Sequence, residues 1–358
     1  MRAIAVTPGK TGYELIDYKG EELTRGKVRL ETLYVGICGT DKALVSNSLK
    51  FARPPPGEEK LVIGHEGLAR VKEVGEGVSG LKEGDLVVPI VRRDGKCFHA
   101  KMWRADYCEN DQFVEAGIRG LHGFQREEFV DVPEYLVKVK DPDLEVYAVL
   151  TEPMKNVMKI IESLQHVLTR YYQVCEDTSF SCLKAVISGF GTEGALLAMA
   201  LKFLGIEDIT VFHRSESEAK AKVAELLNLN YFVTQGKRVD LKGYDLFFDM
   251  TGSPQVVIDG VKGLNNNGVA VLFGTNDRAP SEVLSAEVIT SIVEKNVTIL
   301  GSVDGGKTNY EQALTMISYW HARDERVLKA LIDTGVFKPE EFGEALKHSG
   351  LKAVIRWK

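Results

Sequence analysis

The feature that most constrains this chain is a glycine fingerprint, GFGTEG at Gly189–Gly194, which follows an apolar run and opens a helical pattern. Gly189 permits a tight turn, Gly191 lets another group approach the backbone, and Gly194 allows close packing of the helix on the strand. Short apolar runs alternate with helical stretches through the next part of the chain, which is typical of parallel strands joined by crossover helices. We therefore predict an α/β fold with a doubly wound parallel sheet. The apolar runs are Ala185–Ser188, Ile209–Phe212, Leu246–Phe248, Val269–Phe273 and Val297–Leu300, and the helical stretches include Gly194–Leu204 and Glu218–Leu227.

The chain before this region has the pattern of short strands, with no long amphipathic helix before about residue 140. The strand-like segments are Lys27–Tyr34, Glu66–Val74 and Asp85–Val91. After the sheet region, helical periodicity is followed by the apolar segment Ala353–Arg356. We expect a β-rich, barrel-type domain formed by residues 1–183 and 307–358, and a parallel-sheet domain formed by residues 184–306. The helical segments near the end are Tyr310–His321 and Val327–Ile332.

The fingerprint predicts a dinucleotide site, because helix N-terminal amides and the helix dipole attract a pyrophosphate. A tight turn that serves packing alone is the alternative. The second strand ends in Phe212-His213-Arg214-Ser215, without the carboxylate that would hold a ribose 2′-hydroxyl. Arg214 would attract a 2′-phosphate, and Ser215 could donate a hydrogen bond to it. His213 could donate a hydrogen bond or present its ring face to the cofactor, so NADP is favoured. Glu216 and Glu218 lie nearby, and use of NAD as well remains open. The predicted cofactor residues are Gly189, Gly191, Thr192, Glu193, Gly194, His213, Arg214 and Ser215.

A second set of residues suits a metal ion. Cys38, in Gly36–Asp41, offers a soft thiolate and His65 an imidazole, and both favour zinc. Glu66 follows His65 and could bind zinc or orient the site, while Glu152 could bind zinc or hold a water on it. A structural imidazole is the alternative for His65. Thr40 is placed to accept a hydroxyl proton, although an ordinary turn hydroxyl is equally consistent. A metal that polarises an alcohol, beside a nicotinamide that accepts hydride, predicts a dehydrogenase.

Composition excludes other classes. The formal charge of −6 is mild and scattered, so no nucleic acid partner is expected. We find no membrane-spanning run and no secretory signal, and we expect a cytoplasmic protein. Five cysteines are too few and too scattered for a secreted disulfide scaffold. For Cys175 and Cys182 we expect buried free thiols, with a disulfide as the alternative in a hyperthermophile.

These motifs resemble the medium-chain zinc alcohol dehydrogenase superfamily over essentially the whole chain. The resemblance implies a Rossmann domain and a β-rich, GroES-like catalytic domain. A narrower resemblance, to the archaeal glucose 1-dehydrogenase family, implies oxidation of glucose or a related aldose at C1 to the lactone with NADP or NAD, and a homotetramer. The broader resemblance is carried by Gly36–Asp41, Gly64–Glu66, Val74–Val87 and the fingerprint, and the narrower one by Glu115–Ile118, Gly123–Glu127, Tyr135–Lys138 and Cys175–Cys182.

The resemblance also implies residue roles. Cys38, His65, Glu66 and Glu152 match positions at the catalytic metal. Carboxylates and amides pair with adjacent hydroxyls, which fits a sugar better than an alkyl alcohol. The alternatives are solvated loop carboxylates at Glu115 and Asp304 and a helix-start residue at Asn156. The residues expected to contact substrate are Thr40, Glu115, Glu152, Asn156 and Asp304.

The segment Asp94–Cys108 departs from the superfamily pattern, which places a structural zinc on four cysteines spaced three, three and eight residues apart. Here those positions hold Asp94, Cys97, Ala100 and Cys108, so two thiols are missing. Asp94, or His99 in place of Ala100, could restore four ligands. A Cys97–Cys108 disulfide and two free thiols are the alternatives.

Two other functions compete with an aldose dehydrogenase. A polyol or secondary-alcohol dehydrogenase would share the zinc and the cofactor. A non-catalytic NADPH-binding protein would need no metal, so the set of Cys38, His65 and Glu66 argues against it.

Overall fold

The computed structural model describes residues 1–93, 96–109, 112–170, 174–176, 179–275, 284–333 and 335–358. These residues divide into two compact units, Met1–Lys155 with Gly305–Lys358, and Asn156–Asp304. The predicted first boundary, at residue 183, lies later in the chain than this division.

The strands and helices are numbered in chain order. The strands are β1 (Arg2–Val6), β2 (Glu14–Asp17), β3 (Val28–Ile37), β4 (Leu61–Val62), β5 (Glu66–Val74), β6 (Leu86–Pro89), β7 (Arg92–Arg93), β8 (Val114–Ala116), β9 (Gly120–Leu121), β10 (Glu128–Asp131), β11 (Leu136–Lys138), β12 (Lys184–Ser188), β13 (Asp208–His213), β14 (Asn230–Val233), β15 (Tyr244–Asp249), β16 (Leu264–Leu272), β17 (Thr298–Gly301), β18 (Val336–Phe337) and β19 (Ala353–Arg356). The α-helices are α1 (Gly39–Val45), α2 (Thr151–Leu168), α3 (Thr192–Phe203), α4 (Glu218–Leu226), α5 (Pro254–Gly263), α6 (Ala286–Glu294), α7 (Lys307–Ile332) and α8 (Phe342–Lys347). Short 3₁₀ helices cover His99–Met102, Ala105–Tyr107, Pro133–Tyr135, Pro142–Leu150 and Pro339–Glu341.

The first unit is β-rich, as the short strand patterns predict. Its main sheet has the order β11-β6-β5-β3-β19-β18, with β10 also paired to β3. The central strand β3 pairs antiparallel with β5 on one side and β19 on the other, which places Gly36 beside both Glu66 and Val354. Apolar side chains from this sheet and from β4 form a buried core that includes Val35, Leu61 and Ile355. The end of β3 and the starts of β5 and β19 therefore lie side by side at one end of the sheet.

The helical segment near the end of the chain is longer than predicted. The two predicted helices lie in one helical element, α7, which is interrupted at Asp324 by an extended conformation (φ −160°, ψ 87°). The predicted strand Ala353–Arg356 is present as β19.

The second unit contains a parallel sheet. Within the described residues its order is β14-β13-β12-β15-β16-β17, and every neighbouring pair is parallel. The chain runs outward from the central strand β12 in one direction and then in the other, which is the doubly wound arrangement predicted from the sequence. Because the strands are parallel, the turns that follow them collect at their carboxyl ends, where such sheets bind ligands.

Four of the cysteines form two disulfides. Cys97 is bonded to Cys108, and Cys175 to Cys182. The expectation of free thiols at Cys175 and Cys182 is therefore wrong for this structure, because the fold brings two residues seven apart in sequence into bonding geometry. In the described part of the chain, Cys38 is the free cysteine.

Among the residues described, none of the helices combines the length and the apolar character needed to cross a bilayer.

Candidate active site

The candidate metal site begins where β3 ends. Cys38 is the N-cap of α1, and its Sγ accepts a hydrogen bond from the Thr40 amide at 3.2 Å. The Asp41 carboxylate accepts one from the Cys38 amide at 3.0 Å, which completes a capping box. This reciprocal pairing fixes the orientation of the sulfur.

His65 lies beside this sulfur. Its Nε2 is 3.0 Å from Cys38 Sγ, and its Nδ1 is 3.8 Å from Asp41 Oδ1. Burial alone would lower the pKa of His65, but the charges of Cys38, Asp41 and Glu152 outweigh it and raise that pKa. His65 Nδ1 and Asp41 Oδ1 are both buried, and no other described residue forms a hydrogen bond with either atom. The imidazole is therefore held in an anionic environment that suits a cation.

Glu66 is buried and forms an ion pair with Lys352, a residue that the sequence analysis did not select. Lys352 Nζ lies 2.6 Å from each carboxylate oxygen, and both side chains are 2 % exposed or less. Burial raises the pKa of Glu66, and the charge of Lys352 opposes that change. Both oxygens of Glu66 are thus engaged, so it is placed to orient the site rather than to bind a metal.

Glu152 reaches the same site from the first turn of α2. Its Oε1 lies 3.2 Å from Lys155 Nζ, one turn along the helix, and both residues are buried. Two sets of donor atoms could hold a metal ion: Cys38, Asp41 and His65 in one, and His65, Glu66 and Glu152 in the other, with the atoms of each set within 4.8 Å of one another.

A zinc ion fits this donor set. Sulfur, imidazole nitrogen and carboxylate oxygen are the ligands found at catalytic zinc sites, where three protein ligands leave a position for substrate. Cys38, His65 and Glu152 are the best three candidates, because Lys352 occupies both oxygens of Glu66.

Thr40 and Glu115 have different settings within the same unit. Thr40 is half-buried in α1, two residues from Cys38. Glu115 is buried between two arginines: Arg92 Nη2 lies 2.9 Å from one carboxylate oxygen and Arg119 Nη2 lies 3.3 Å from the other. Both guanidinium groups also pack on the Phe113 ring, at 4.0 and 4.3 Å from its centroid. Glu115 is therefore a fixed, charge-compensated carboxylate and not a solvated loop residue.

The remaining predicted sugar contacts belong to the second unit. Asn156 lies in α2 and donates a hydrogen bond of 2.9 Å to Glu193, which is part of the glycine fingerprint. Asp304 is buried, with a left-handed backbone (φ 58°). Neither residue has the environment of a freely solvated side chain.

The proposed structural zinc is not supported by the described residues. The Cys97–Cys108 disulfide leaves neither sulfur as a thiolate for a metal, which corrects the four-ligand arrangement. His99 is exposed, and its ring packs against Phe98 and Tyr107. Asp94 lies outside the described residues.

In the second unit, the fingerprint forms the turn between β12 and α3. Gly189 has a φ of +99°, a conformation that favours glycine. A side chain at Gly194 would lie 2.5 Å from the carbonyl oxygen of Gly189, so the helix packs closely on the turn. The N-cap residue is Gly191, which leaves no side chain over the first turn, where Thr192 and Glu193 lie. This arrangement can hold a pyrophosphate on helix amides.

The end of β13 carries the other predicted cofactor residues. Arg214 and Ser215 are exposed, while His213 is half-buried. Lys220, from α4, places its Nζ 2.5 Å from His213 Nε2. Burial, followed by the charge of Lys220, lowers the pKa of His213 to about 4. His213 is therefore neutral near pH 7 and accepts a hydrogen bond from the lysine.

The sequence analysis missed four polar residues at these sites. Asp41 and Lys155 lie close in sequence to predicted ligands and could have been found from capping and i, i+3 spacing. Lys220 and Lys352 meet their partners only through the fold, and no local signal identifies them. The four residues are Asp41, Lys155, Lys220 and Lys352.

Comparison with protein-family models gives two matches that together span most of the chain. Residues 24–141 match the alcohol dehydrogenase GroES-like domain, and residues 145–356 match the glucose dehydrogenase C-terminus.

Individual proteins are similar over the full length. A glucose 1-dehydrogenase of Metallosphaera sedula is 38 % identical over 361 residues, covering 100 % of this chain and 99 % of that protein. A glucose 1-dehydrogenase of Thermoplasma acidophilum is 39 % identical over 363 residues, covering 99 % of each. Among solved structures, a glucose dehydrogenase of Haloferax mediterranei in complex with NADP, Zn and gluconolactone has a TM-score of 0.89 at 26 % identity, covering 100 % of this chain and 99 % of that one.

Proposed function

Because this chain belongs to the zinc-dependent medium-chain dehydrogenases, within the glucose 1-dehydrogenase family, we propose that it oxidises glucose or a related aldose at C1 to the lactone and transfers hydride to NADP⁺. The observation that carries the proposal is that His65 belongs to two sets of metal-binding side chains, with Cys38 and Asp41 in one and Glu66 and Glu152 in the other. Together these sets offer the sulfur, nitrogen and oxygen ligands of a catalytic zinc site. Family membership confirms the resemblance stated from the motifs.

The relatives support both the substrate and the cofactors. The two similar archaeal proteins are glucose 1-dehydrogenases, and the Haloferax structure holds NADP, Zn and gluconolactone, the lactone that oxidation of glucose at C1 produces.

Zinc supplies Lewis acidity toward the substrate oxygen, and NADP⁺ accepts the hydride. Cys38, His65 and Glu152 would hold the metal, and the buried Glu66–Lys352 ion pair would lie next to it as a fixed group with no net charge. Thr40 Oγ1 would accept the proton of the C1 hydroxyl and pass it to water or to the ribose of the cofactor. The hydrogen on C1 leaves with its electron pair, so the products are lactone, NADPH and one proton.

Substrate selection rests on polar groups. Glu115, held by Arg92 and Arg119, is a charged acceptor that cannot rotate away, which suits recognition of a sugar hydroxyl at a defined position. Asn156 and Asp304 are proposed as further sugar contacts by their resemblance to family positions. Polar sugar contacts of this kind would disfavour alkyl alcohols, because an alkyl alcohol would leave these polar groups unpaired.

We also propose that the protein is a homotetramer located in the cytoplasm. The oligomer is supported by the outer strand of the parallel sheet, β17, whose far side meets no further strand within the described residues. Apolar side chains are exposed on β17 and on α6, at Ile299, Ile289 and Val293. A second copy that paired through this edge would cover them.

The proposed function is tested by initial rates of NADP⁺ and NAD⁺ reduction with aldoses, polyols and simple alcohols, before and after chelation and zinc return. We expect aldose-selective reduction of NADP⁺ that chelation abolishes and zinc restores. Activity on polyols or simple alcohols alone would replace the substrate assignment. Metal-independent turnover would overturn the mechanism, and nucleotide binding without any turnover would favour a non-catalytic NADPH-binding protein.

A further inference from the structure

Lys220 carries a charge that the rest of the described structure does not balance. Its side chain extends from the first turn of α4, is half-buried, and places Nζ 2.5 Å from His213 Nε2. No carboxylate pairs with Lys220 in the described part of the chain. Lys222, on the same helix, is exposed and forms an ordinary ion pair with Glu225 at 2.9 Å.

The histidine does not compensate the lysine. His213 is neutral near pH 7, because burial and the charge of Lys220 hold its pKa at about 4. Burial also lowers the pKa of Lys220 itself, since its partial desolvation is not offset by an anion. A cation in this position gains more from binding an anion than a solvated surface lysine does.

The location of the pair indicates which anion it meets. His213 is the last residue of β13, the strand beside β12, and the turn after β12 carries the glycine fingerprint. In this fold the end of the second strand lies beside the adenosine ribose of a bound dinucleotide. Arg214 and Ser215 follow directly, so Lys220 adds a second cation to the point where NADP and NAD differ.

We propose that Lys220 is a specificity-determining residue that binds the 2′-phosphate of NADP⁺, with His213 holding its side chain in position. The proposal rests on the proposed function, because it assigns a residue to the same dinucleotide site. Arg214 is exposed and carries a flexible charge, whereas Lys220 is already held by its neighbour, so less side-chain entropy is lost when the phosphate binds.

The test compares Lys220→Gln with the matched control Lys222→Gln. Isothermal titration with adenosine 2′,5′-bisphosphate and with 5′-AMP measures the contribution of the 2′-phosphate without any catalytic step. Steady-state rates give the ratio of kcat/KM for NADP⁺ to that for NAD⁺. Two ratios are compared: the affinity for adenosine 2′,5′-bisphosphate over that for 5′-AMP, and kcat/KM for NADP⁺ over that for NAD⁺. We expect Lys220→Gln to lower both ratios by about tenfold or more, because a charge-assisted contact is lost. Lys222→Gln should leave both ratios within about twofold of the wild type, and Lys220→Arg should keep most of the preference.

Circular dichroism establishes that each variant is folded. If Lys220→Gln leaves the ratios unchanged, or weakens the binding of both ligands equally, Lys220 does not recognise the 2′-phosphate. The proposed function would still stand in that case, provided that the wild type shows NADP⁺-dependent activity. Failure of the wild type to bind NADP⁺ or the bisphosphate would overturn the proposed function together with this inference.

Discussion

Lys352 Nζ lies 2.6 Å from both carboxylate oxygens of Glu66, and the two side chains are almost completely buried. Glu152, in contrast, contacts Lys155 through Oε1 at 3.2 Å. The two neighbouring carboxylates thus have different environments. Lys352, which follows Glu66 by 286 residues, contacts both oxygens of Glu66, whereas the partner of Glu152 lies on the same helix.

Removing the cation of the buried pair should destabilise the protein. Lys352→Met leaves the Glu66 carboxylate buried without its partner, and we expect the free energy of unfolding in guanidinium to fall by about 3–5 kcal/mol. Lys347→Met is the control, because Lys347 is exposed and its pair with Glu344 is worth little. The same loss in both variants would show that the buried pair does not stabilise the fold.

The two carboxylates should differ in their effect on zinc. Glu152→Gln removes a proposed ligand and is expected to weaken zinc binding by more than about tenfold, whereas Glu66→Gln should chiefly lower stability. Competition with a chromophoric chelator measures the affinity of each variant. A larger loss of zinc affinity in Glu66→Gln would assign Glu66 as the ligand instead.

Replacement of Gly36 by a residue with a side chain should destabilise the protein for steric reasons. A Cβ at this position would lie 2.0 Å from Glu66 Oε2, and β3 cannot shift because strands flank it on both sides. We expect Gly36→Ala to cost about 1–3 kcal/mol of stability in chemical denaturation, as overpacking does. At Gly39 a Cβ would meet nothing within 4 Å, so Gly39→Ala serves as the control, and equal stability of the two variants would contradict the steric account.

The cysteine pairing predicts a simple stoichiometry. Because two disulfides leave only Cys38 free among the described cysteines, a thiol reagent should react with one thiol group per chain in the unfolded, unreduced protein. Metal analysis of the native protein should give one zinc per chain. Three thiols, from Cys38, Cys97 and Cys108, together with two zinc ions per chain would restore the structural-zinc alternative at Cys97 and Cys108. Reduction of the disulfides should destabilise the fold by about 2–3 kcal/mol each on the chain-entropy model.

His213 should make stability depend on pH. Its pKa is lowered from 6.5 to about 4 in the folded protein, so the folded state binds fewer protons than the unfolded state between these values. Its contribution is complete above about pH 6.5 and is lost as the pH falls toward 4. We expect NMR titration to show one histidine near pH 4, absent in His213→Gln, and that variant should lose less stability over the same interval. A normal pKa would contradict the contact with Lys220.

Local patterns predicted much of the fold. Strand β5 has the predicted bounds, Glu66–Val74, because apolar residues recur along it between charged ones and a glycine follows it. The turn at Gly189–Gly194 could be predicted because this glycine motif, when it lies between a strand and a helix, is typical of one structure. Long-range pairs are different, because nothing near Glu66 indicates that Lys352 will be its partner.

The cysteine pairs show the same limit. The separation of Cys97 and Cys108 is compatible with a shared metal, a disulfide or neither, and only the path of the backbone between them decides. Similarly, the lone histidine at 213 gave no sign that a lysine from the next helix would contact it, because that contact depends on how α4 packs beside β13.

The pairing of β3 with β19 also bears on the biosynthesis of the protein. Cys38, His65 and Glu152 are all translated well before Lys352 and the strand that follows it. Until Ala353–Arg356 leaves the ribosome, the last part of β3, from Tyr34 to Ile37, has one unpaired edge, and Glu66 has no cation beside it. A nascent chain therefore carries several metal-binding side chains in an unfinished sheet, and correct metal loading is expected only after translation has passed the final strand.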